Sequence, residues 1–501
     1  MDFITSHFPT ILSIIPLLVF IILLLVRRTS LLIASTVTLA LYTVFVILYW
    51  KILPHLIWTS FGKGIFIAFD IFIIILGAIF FLSLLEKLGI IKNISYYLEH
   101  FSRDYRLQII LLAWLFAAFL EGTAGFGTSV AVVAPLLVGL GLTPIRALVV
   151  SLIGNSVPGV FGAVGTPIKV GFAGLDTTMV PLISALINCA GFIIPIFMLW
   201  VITKGRENRN KEFFEALPFA IWAGIVFVVP SVFGVFLGQE FPSIVGAVVG
   251  IIIIYITTKL GLFIPKQHIS LQNKEELRRT MHPFHAFLPY ILLIVFLILG
   301  KIFIGSFGID INLGFPHKFN LFNPGLVFIF VGLLVALIMK SKKEDTVPLI
   351  SNALKSSLEP FFVIISTSAF VQLMINSGTN TTGISSSITY LAKIFESSFL
   401  PFFTPFISAF GSFITGSVTV SNIMFGNFFS TASTGLGYNT AVILSLAVVG
   451  AAAGNMIALA DMLAAQAVLG VKNQEHKILK GVFVACMTFL IIVGIIGMII
   501  S

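Results

Sequence analysis

Residues 108–140 read QIILLAWLFAAFLEGTAGFGTSVAVVAPLLVGL, two short apolar runs around Glu121-Gly-Thr-Ala-Gly-Phe-Gly-Thr128. A helix needs about 20 apolar residues to cross the hydrocarbon of a bilayer, and each run falls short of that. The tip is rich in Gly and Thr. Irregular backbone is tolerated at membrane depth only where protein buries it or where it lines a cavity. The stretch therefore reads as a re-entrant hairpin. Residues 399–430 repeat the design, with two runs around Gly411-Ser-Phe-Ile-Thr-Gly-Ser417.

The rest of the chain supports this reading. Of 501 residues, 58% are hydrophobic and 10% charged, against about 25% charged in an average soluble protein. Lipid is the solvent that such a composition requires. Apolar runs recur at 8–26, 30–50, 64–86, 108–120, 129–140, 145–157, 178–203, 216–237, 242–263, 286–304, 323–339, 358–376, 399–414, 417–430, 438–459 and 481–500. They lack sustained alternation, so they read as helices and not as strands of a barrel. The fold expected is an all-α polytopic membrane protein of about 12–14 membrane segments. Residues 8–26 read as a retained first span, because no cleavage site follows them. The stretch Lys266 to His285 is too short for a soluble domain.

The net charge of +9 is spread over short loops and forms no basic face interleaved with aromatics, which argues against nucleic acid. It fits the positive-inside rule. With Arg27 and Arg28 placed in the cytoplasm, 22 of the 29 Lys and Arg fall inside. Lys51, Lys63, Lys169, Lys301 and Lys318 fall outside. This bias predicts an external N-terminus and the cell membrane. It works only if the two hairpins do not cross.

An internal repeat emerges. Each half has a span (64–86, 358–376), an amphipathic arm (about 89–105, 384–397), a hairpin (108–140, 399–430) and a helix interrupted at Gly-Asn (154–155, 454–455). Gly139-Leu-Gly141 and Gly435-Leu-Gly437 occupy matching places. The charge pattern orients the halves oppositely, and paired interrupted segments of this kind point to a binding site. The expected organisation is 1–63 as N-terminal scaffold, 64–203 as first inverted repeat, 204–357 as central scaffold and 358–501 as second inverted repeat.

A fixed Arg or Lys is a costly way to hold a small anion in mid-bilayer. Broken helices do it with free N–H groups and a partial positive charge at their N-termini. Four stretches supply Gly, Ser, Thr and Asn for that purpose. The expected ligand-binding residues are Gly125, Thr128, Asn155, Thr166, Ser417, Ser421, Asn422 and Asn455. The ionisable candidates inside the membrane are Asp70, Glu86, Glu121, Arg146, Asp176 and Asp461; Glu86 reads as a solvated end near the inner interface, Arg146 as snorkelling to the cytoplasm and Asp176 as an outer-loop residue. Glu121 opens the first hairpin tip, withdrawn from water, and is the expected proton-coupling residue, with Asp461 as its counterpart. HExxH, GxxxxGK[ST] and CxxC are absent, so no metal, cofactor or enzymatic chemistry is expected. His282-Pro-Phe-His285 reads as a chance polar pair. Cys189 and Cys486 read as packing residues.

Several ordered motifs resemble the L-lactate permease family. They are Glu121-Gly-Thr-Ala-Gly-Phe-Gly-Thr-Ser-Val-Ala-Val-Val-Ala-Pro-Leu-Leu137, Ile153-Gly-Asn-Ser-Val-Pro158, Phe161-Gly-Ala-Val-Gly-Thr-Pro-Ile168, Gly411 to Ser417, Ser421-Asn-Ile-Met-Phe-Gly426 and Gly450-Ala-Ala-Ala-Gly-Asn-Met456. The resemblance implies proton-coupled import of L-lactate, D-lactate and glycolate, on an architecture related to ion transporters with a scaffold and a mobile domain. Two departures stand out: Val418 replaces a usual Asn or Asp, and Ala460-Asp461 replaces a usual pair of Asn. A carrier of another anion, such as a dicarboxylate, and a sodium/proton exchanger remain alternatives. A membrane enzyme or receptor would need a catalytic cluster or an output domain, and neither is visible.

Overall fold

The computed structural model describes residues 2–25, 29–99, 101–102, 104–125, 127–269, 280–305, 307–312, 316–394 and 398–501. Arg27, Arg28, Arg103, Lys274, Arg278 and Arg279 of the charge count, and Phe126 of the first tip, lie outside them. The chain is helical almost throughout. Among the described residues ten helices are long and apolar enough to cross a membrane, or eleven with the bent pair Pro144–Gly154 and Val157–Lys169 as one span. Phe8–Leu24, Thr128–Gly139, Pro324–Ile338 and Leu400–Thr415 are shorter apolar helices. Helix starts follow local chemistry. Pro54, Pro144 and Pro324 stand at first helical positions, and Asn323 and Asn439 cap with their side-chain oxygens.

Burial sorts the helices. The apolar window of Tyr105–Ala124 is 100% buried and that of Thr440–Val468 89%, whereas Pro283–Ile304 is only 22% buried. The first two form the centre and the third faces outward. Two 34-residue helices, Pro54–Lys87 and Lys343–Asn376, pack along each other. Pro324–Ile338 joins them through glycine. A Cβ on Gly77 would lie 2.2 Å from the Gly325 carbonyl oxygen, and one on Gly325 2.1 Å from that of Ile73. Gly77→Ala therefore forces the helices apart. We expect it to cost about 1–3 kcal/mol, read as a lower melting temperature in detergent. An unchanged melting temperature would show that the contact is loose.

The first hairpin arm differs from the sequence expectation. It starts at Tyr105, before residue 108, and reaches Ala124, which gives it enough length to cross. The polar start was read as loop, but Arg106 is wholly buried. Its Nε and Nη2 donate to the Asp104 carboxylate at 2.9 and 2.7 Å, and it also donates to the carbonyl oxygens of Glu212 and Gln267. Paired in this way, the guanidinium can enter the interior and extend the helix. Arg106 is thus no loop charge of the topology count. A π-helical stretch follows at Leu111–Phe116, and Trp114 Nε1 anchors it to the Ala223 carbonyl oxygen at 2.9 Å.

The two halves share local geometry. Both helices that follow the tips end in the same C-cap. Leu142 N donates to Leu137 O at 3.0 Å and Tyr438 N to Ser433 O at 2.9 Å, with Gly141 and Gly437 at positive φ. Both interrupted helices stop at Gly154 and Gly454 and continue as 3-10 turns. The amphipathic arms are the short helices Ile90–Glu99 and Ser387–Ile394. An antiparallel ribbon, Gly308–Asn312 with Pro316–Asn320, lies between two apolar helices. The sequence alternates there, with Ile309 and Ile311 set between Gly308, Asp310 and Asn312, a short signal that the expectation of helices passed over.

Candidate functional site

The first hairpin turns on glycine. Gly125 (φ 61°) and Gly127 (φ 70°) adopt conformations that side chains resist. They also permit close approach. A Cβ on Gly125 would lie 2.7 Å from Ala163 Cβ, and one on Gly127 2.3 Å from Asp461 Oδ1. The tip thus touches both interrupted helices. The second tip, at Gly416 (φ 67°), does the same to Ala460, whose Cβ lies 2.6 Å from where a Cβ of Gly416 would be.

The first interruption is strained. After the 3-10 turn Val157–Phe161, Ala163 (φ 43°), Val164 (φ 57°) and Gly165 (φ 79°) turn left-handed before the helix resumes. A β-branched residue in that region is an outlier that surrounding packing must enforce. The turn brings Gly162 against the Glu121 carboxyl, at 2.9 Å from a Gly162 Cβ to Oε1.

Both tips and both interruptions close on a cavity of about 20 Å3, room for roughly one water. Of the expected residues, Glu121, Gly125, Thr166, Ser417 and Asn455 line it. Asn455 Oδ1 accepts from Ser412 Oγ at 2.5 Å, leaving its amide N–H groups as donors beside Gly159. Ser417 caps the helix Val418–Leu436, so that helix's N-terminus faces the cavity.

The other five stand behind this wall. Asn155 reaches Glu121 through Ser129. Asp461 lies against the Gly127 side of the tip, with Oδ2 buried and without a hydrogen-bond partner among the described residues. Thr128 Oγ1 donates to Gly125 O at 2.7 Å and braces the tip. Ser421 Oγ donates to Ser408 O at 2.9 Å and joins the arms of the second hairpin. Asn422 Nδ2 donates to Pro167 O at 2.9 Å and ties that hairpin to the first interrupted helix. Sequence reasoning missed Ser129, Ser412, Gly162 and Thr419. Ser129, Ser412 and Gly162 fell within the quoted motifs and Thr419 between two of them, and nothing marked any of the four above its neighbours.

Ser129 decides what the site can do chemically. Its Oγ stands 3.0 Å from Glu121 Oε2 and 2.6 Å from Asn155 Oδ1. One hydroxyl proton cannot serve two acceptor oxygens. The chain closes when Glu121 carries a proton and donates to Ser129, which donates to Asn155. It also closes for the carboxylate if the Asn155 amide turns over, so that Nδ2 donates to Ser129 and Ser129 donates to Glu121. Asn155 Nδ2 has no partner in the first arrangement, so that turn breaks no bond on its far side. Amide orientation at such a site follows from its hydrogen bonds.

The charged groups assigned to the outer side converge elsewhere, at Lys63, Lys169 and Lys301. Arg146 donates to Lys204 O at 2.6 Å, among the opposite set. Asp176 lies in an exposed loop, where the Thr178 amide and hydroxyl hold its carboxyl below the usual range. The two cysteines are free. Among the described residues no group of three His, Cys, Asp or Glu could hold a metal, and His282 caps the helix Pro283–Ile304 through Nδ1.

Comparison with known proteins matches these features across the whole chain. The family profile described as L-lactate permease covers residues 9–308 and 311–501. A putative L-lactate permease of Haemophilus influenzae is 30% identical over 469 residues, covering 85% of each chain. The L-lactate permease of Escherichia coli is 26% identical over 466 residues, 84% of this chain and 83% of the relative. The glycolate permease of the same organism is 27% identical over 479 residues, with the same coverage. A multi-pass helical protein with interrupted helices, and a profile match from residue 9 to its last residue, give one conclusion: the chain belongs to the L-lactate permease family.

Proposed function

We propose that this protein carries a small monocarboxylate (L-lactate, D-lactate or glycolate) together with a proton across the cell membrane by alternating access. The observation that carries the reading is the central cavity, where neutral donors and a helix N-terminus face Glu121 with no fixed cation among the lining residues. Relatives named for lactate and glycolate support the substrate class. The carboxylate is assigned to the Asn455 amide, Ser417 and Thr166, the proton to Glu121, and Gly125, Thr128, Asn155, Ser421, Asn422 and Asp461 to the supporting shell. A cavity of about 20 Å3 closes around less than a lactate, so loading requires the tips to part from the interrupted helices.

We assign 64–203 and 358–501 as repeats of opposite orientation and 1–63 and 204–357 as scaffold. Their matching C-caps and Gly-Asn interruptions support this. Segregation of Lys63, Lys169 and Lys301 from Arg146 and Lys204 supports an external N-terminus.

The test is uptake of labelled L-lactate into proteoliposomes under an imposed proton gradient. Gradient-dependent accumulation inhibited by glycolate is expected. Uptake that ignores protons but follows sodium, or that succinate abolishes, would replace this reading with a cation-coupled carrier of another anion. Val418 in the cavity wall and the Asp461 carboxyl favour keeping that arm. Within the same assay, Asn455→Ala is expected to lower Vmax/KM by about tenfold or more, the cost of one lost polar contact to a charged group, and Asn155→Ala to lower it through loss of the partner that orients Ser129 toward Glu121. Normal uptake by both would remove the amides from the site.

A further inference from the structure

A second cavity, about 360 Å3, opens to the surface at Gly174. Lys63, Asp70, Lys169, Gln372 and Asn427 give it a polar wall. Lys169 and Lys301 stand over one ring, with Nζ 6.0 and 5.8 Å from the Phe322 ring centre. Glu240 is committed to Lys301 at 2.9 and 3.1 Å and lies 4.0 Å from Lys169. One carboxylate thus serves two ammonium groups, and Lys169 is the one it holds more loosely. Gln372 and Asn427 make no side-chain hydrogen bond with described residues, and both face this space.

The cavity is continuous in sequence with the centre. Thr166, Val170 and Gly174 step away from the central cavity four residues at a time, and Thr419, Ile423 and Asn427 do the same on the second hairpin. On the second hairpin, residues four apart share a helix face and eight residues rise about 12 Å, while after Lys169 the first segment continues as a turn. Val170 and Ile423 narrow the space between, where a minor cavity of about 10 Å3 remains.

We propose that the larger cavity is a second carboxylate-binding site, in which the Lys169 ammonium and the Gln372 and Asn427 amides hold the incoming anion before it passes Val170 and Ile423. An ammonium pairs with the carboxylate, and the two amides offer donors and acceptors to a 2-hydroxyl. The site rests on the proposed transport of a small hydroxy acid. It adds a specificity step in which uncharged analogues are refused before they reach Glu121.

The experiment places a thiol at the cavity with Ala173→Cys and follows its modification by a membrane-impermeant thiol reagent, with the unaltered chain as background for Cys189 and Cys486. L-lactate is expected to slow modification about tenfold at saturation, and the uncharged lactamide not at all. Adding Lys169→Gln should remove the protection and raise KM for uptake about tenfold, with a smaller change in Vmax. Lys169→Arg should restore both. The pair Gln372→Ala and Asn427→Ala supplies a second route if Lys169→Gln does not fold. Equal protection by lactamide, or a KM untouched by Lys169→Gln, would overturn the site. Protection by carboxylates in a protein that takes up no lactate would overturn the transport substrate and leave the site standing. Normal uptake without protection would do the reverse.

Discussion

Glu121→Gln is expected to abolish gradient-driven accumulation of lactate in proteoliposomes while exchange down a concentration gradient stays measurable. Gln has the shape of a protonated Glu and can still donate to Ser129, which stands 3.0 Å from Oε2. The first of the two hydrogen-bond arrangements is therefore kept permanently. What is lost is the acceptor of the transported proton. A gradient of one pH unit is worth about 1.4 kcal/mol per proton, or tenfold accumulation for one-to-one coupling. The variant should show a ratio of about one at every imposed gradient, and its uptake should lose its pH dependence. Unaltered accumulation in the variant would move the proton to Asp461, the other buried carboxyl at the first tip.

The second large effect is structural. Asp104→Ala leaves the Arg106 guanidinium fully buried without its carboxylate, which accepts at 2.9 and 2.7 Å. Removing one partner of a buried pair costs about 3–5 kcal/mol, and the Glu215 carboxylate, 3.8 Å from Nη1, offsets only part of the charge left behind. The helix Tyr105–Ala124 carries Glu121 at its far end, so loss of folded protein on heating should come with loss of transport. Asp104→Ala combined with Arg106→Met should recover most of the stability, since an apolar pair of similar volume replaces the ions. A double variant as unstable as the single one would show that the other bonds Asp104 accepts, from the Arg106 and Ile269 amides, carry the effect.

The helices were legible because lipid leaves an apolar run few other structures to adopt, and the Gly-Asn interruptions stood out against those runs. The start of the first arm was not legible. Arg106 looks like a loop residue until Asp104 and the carbonyl groups of Glu212 and Gln267 are placed around the guanidinium. Five of the ten expected site residues line the cavity because glycine, hydroxyl and amide groups at helix breaks have few other uses in a bilayer. The left-handed turn at Ala163 and Val164 opposes the preferences of both residues. Contacts between distant segments impose it, so the place of Gly162 against Glu121 carried no local signal. Ser129 and Ser412 sit among ordinary helical residues, and only the fold shows which Asn each one meets. Lys63, Lys169 and Lys301 were read as separate outer charges. Their sequence spacing says nothing of a shared cavity.

The Ser129–Asn155 arrangement also sets a clock. Exchanging its two states takes one hydroxyl rotation and one amide turn, and side-chain rotations of this kind run far faster than the roughly microsecond-to-millisecond motion of whole helical units. Proton and side chains are then always in equilibrium within each position of the hairpins. In the proposed alternating-access cycle, turnover is paced by the collective motion of the helices, and substrates that differ only in how they meet Asn455 would share one maximal rate.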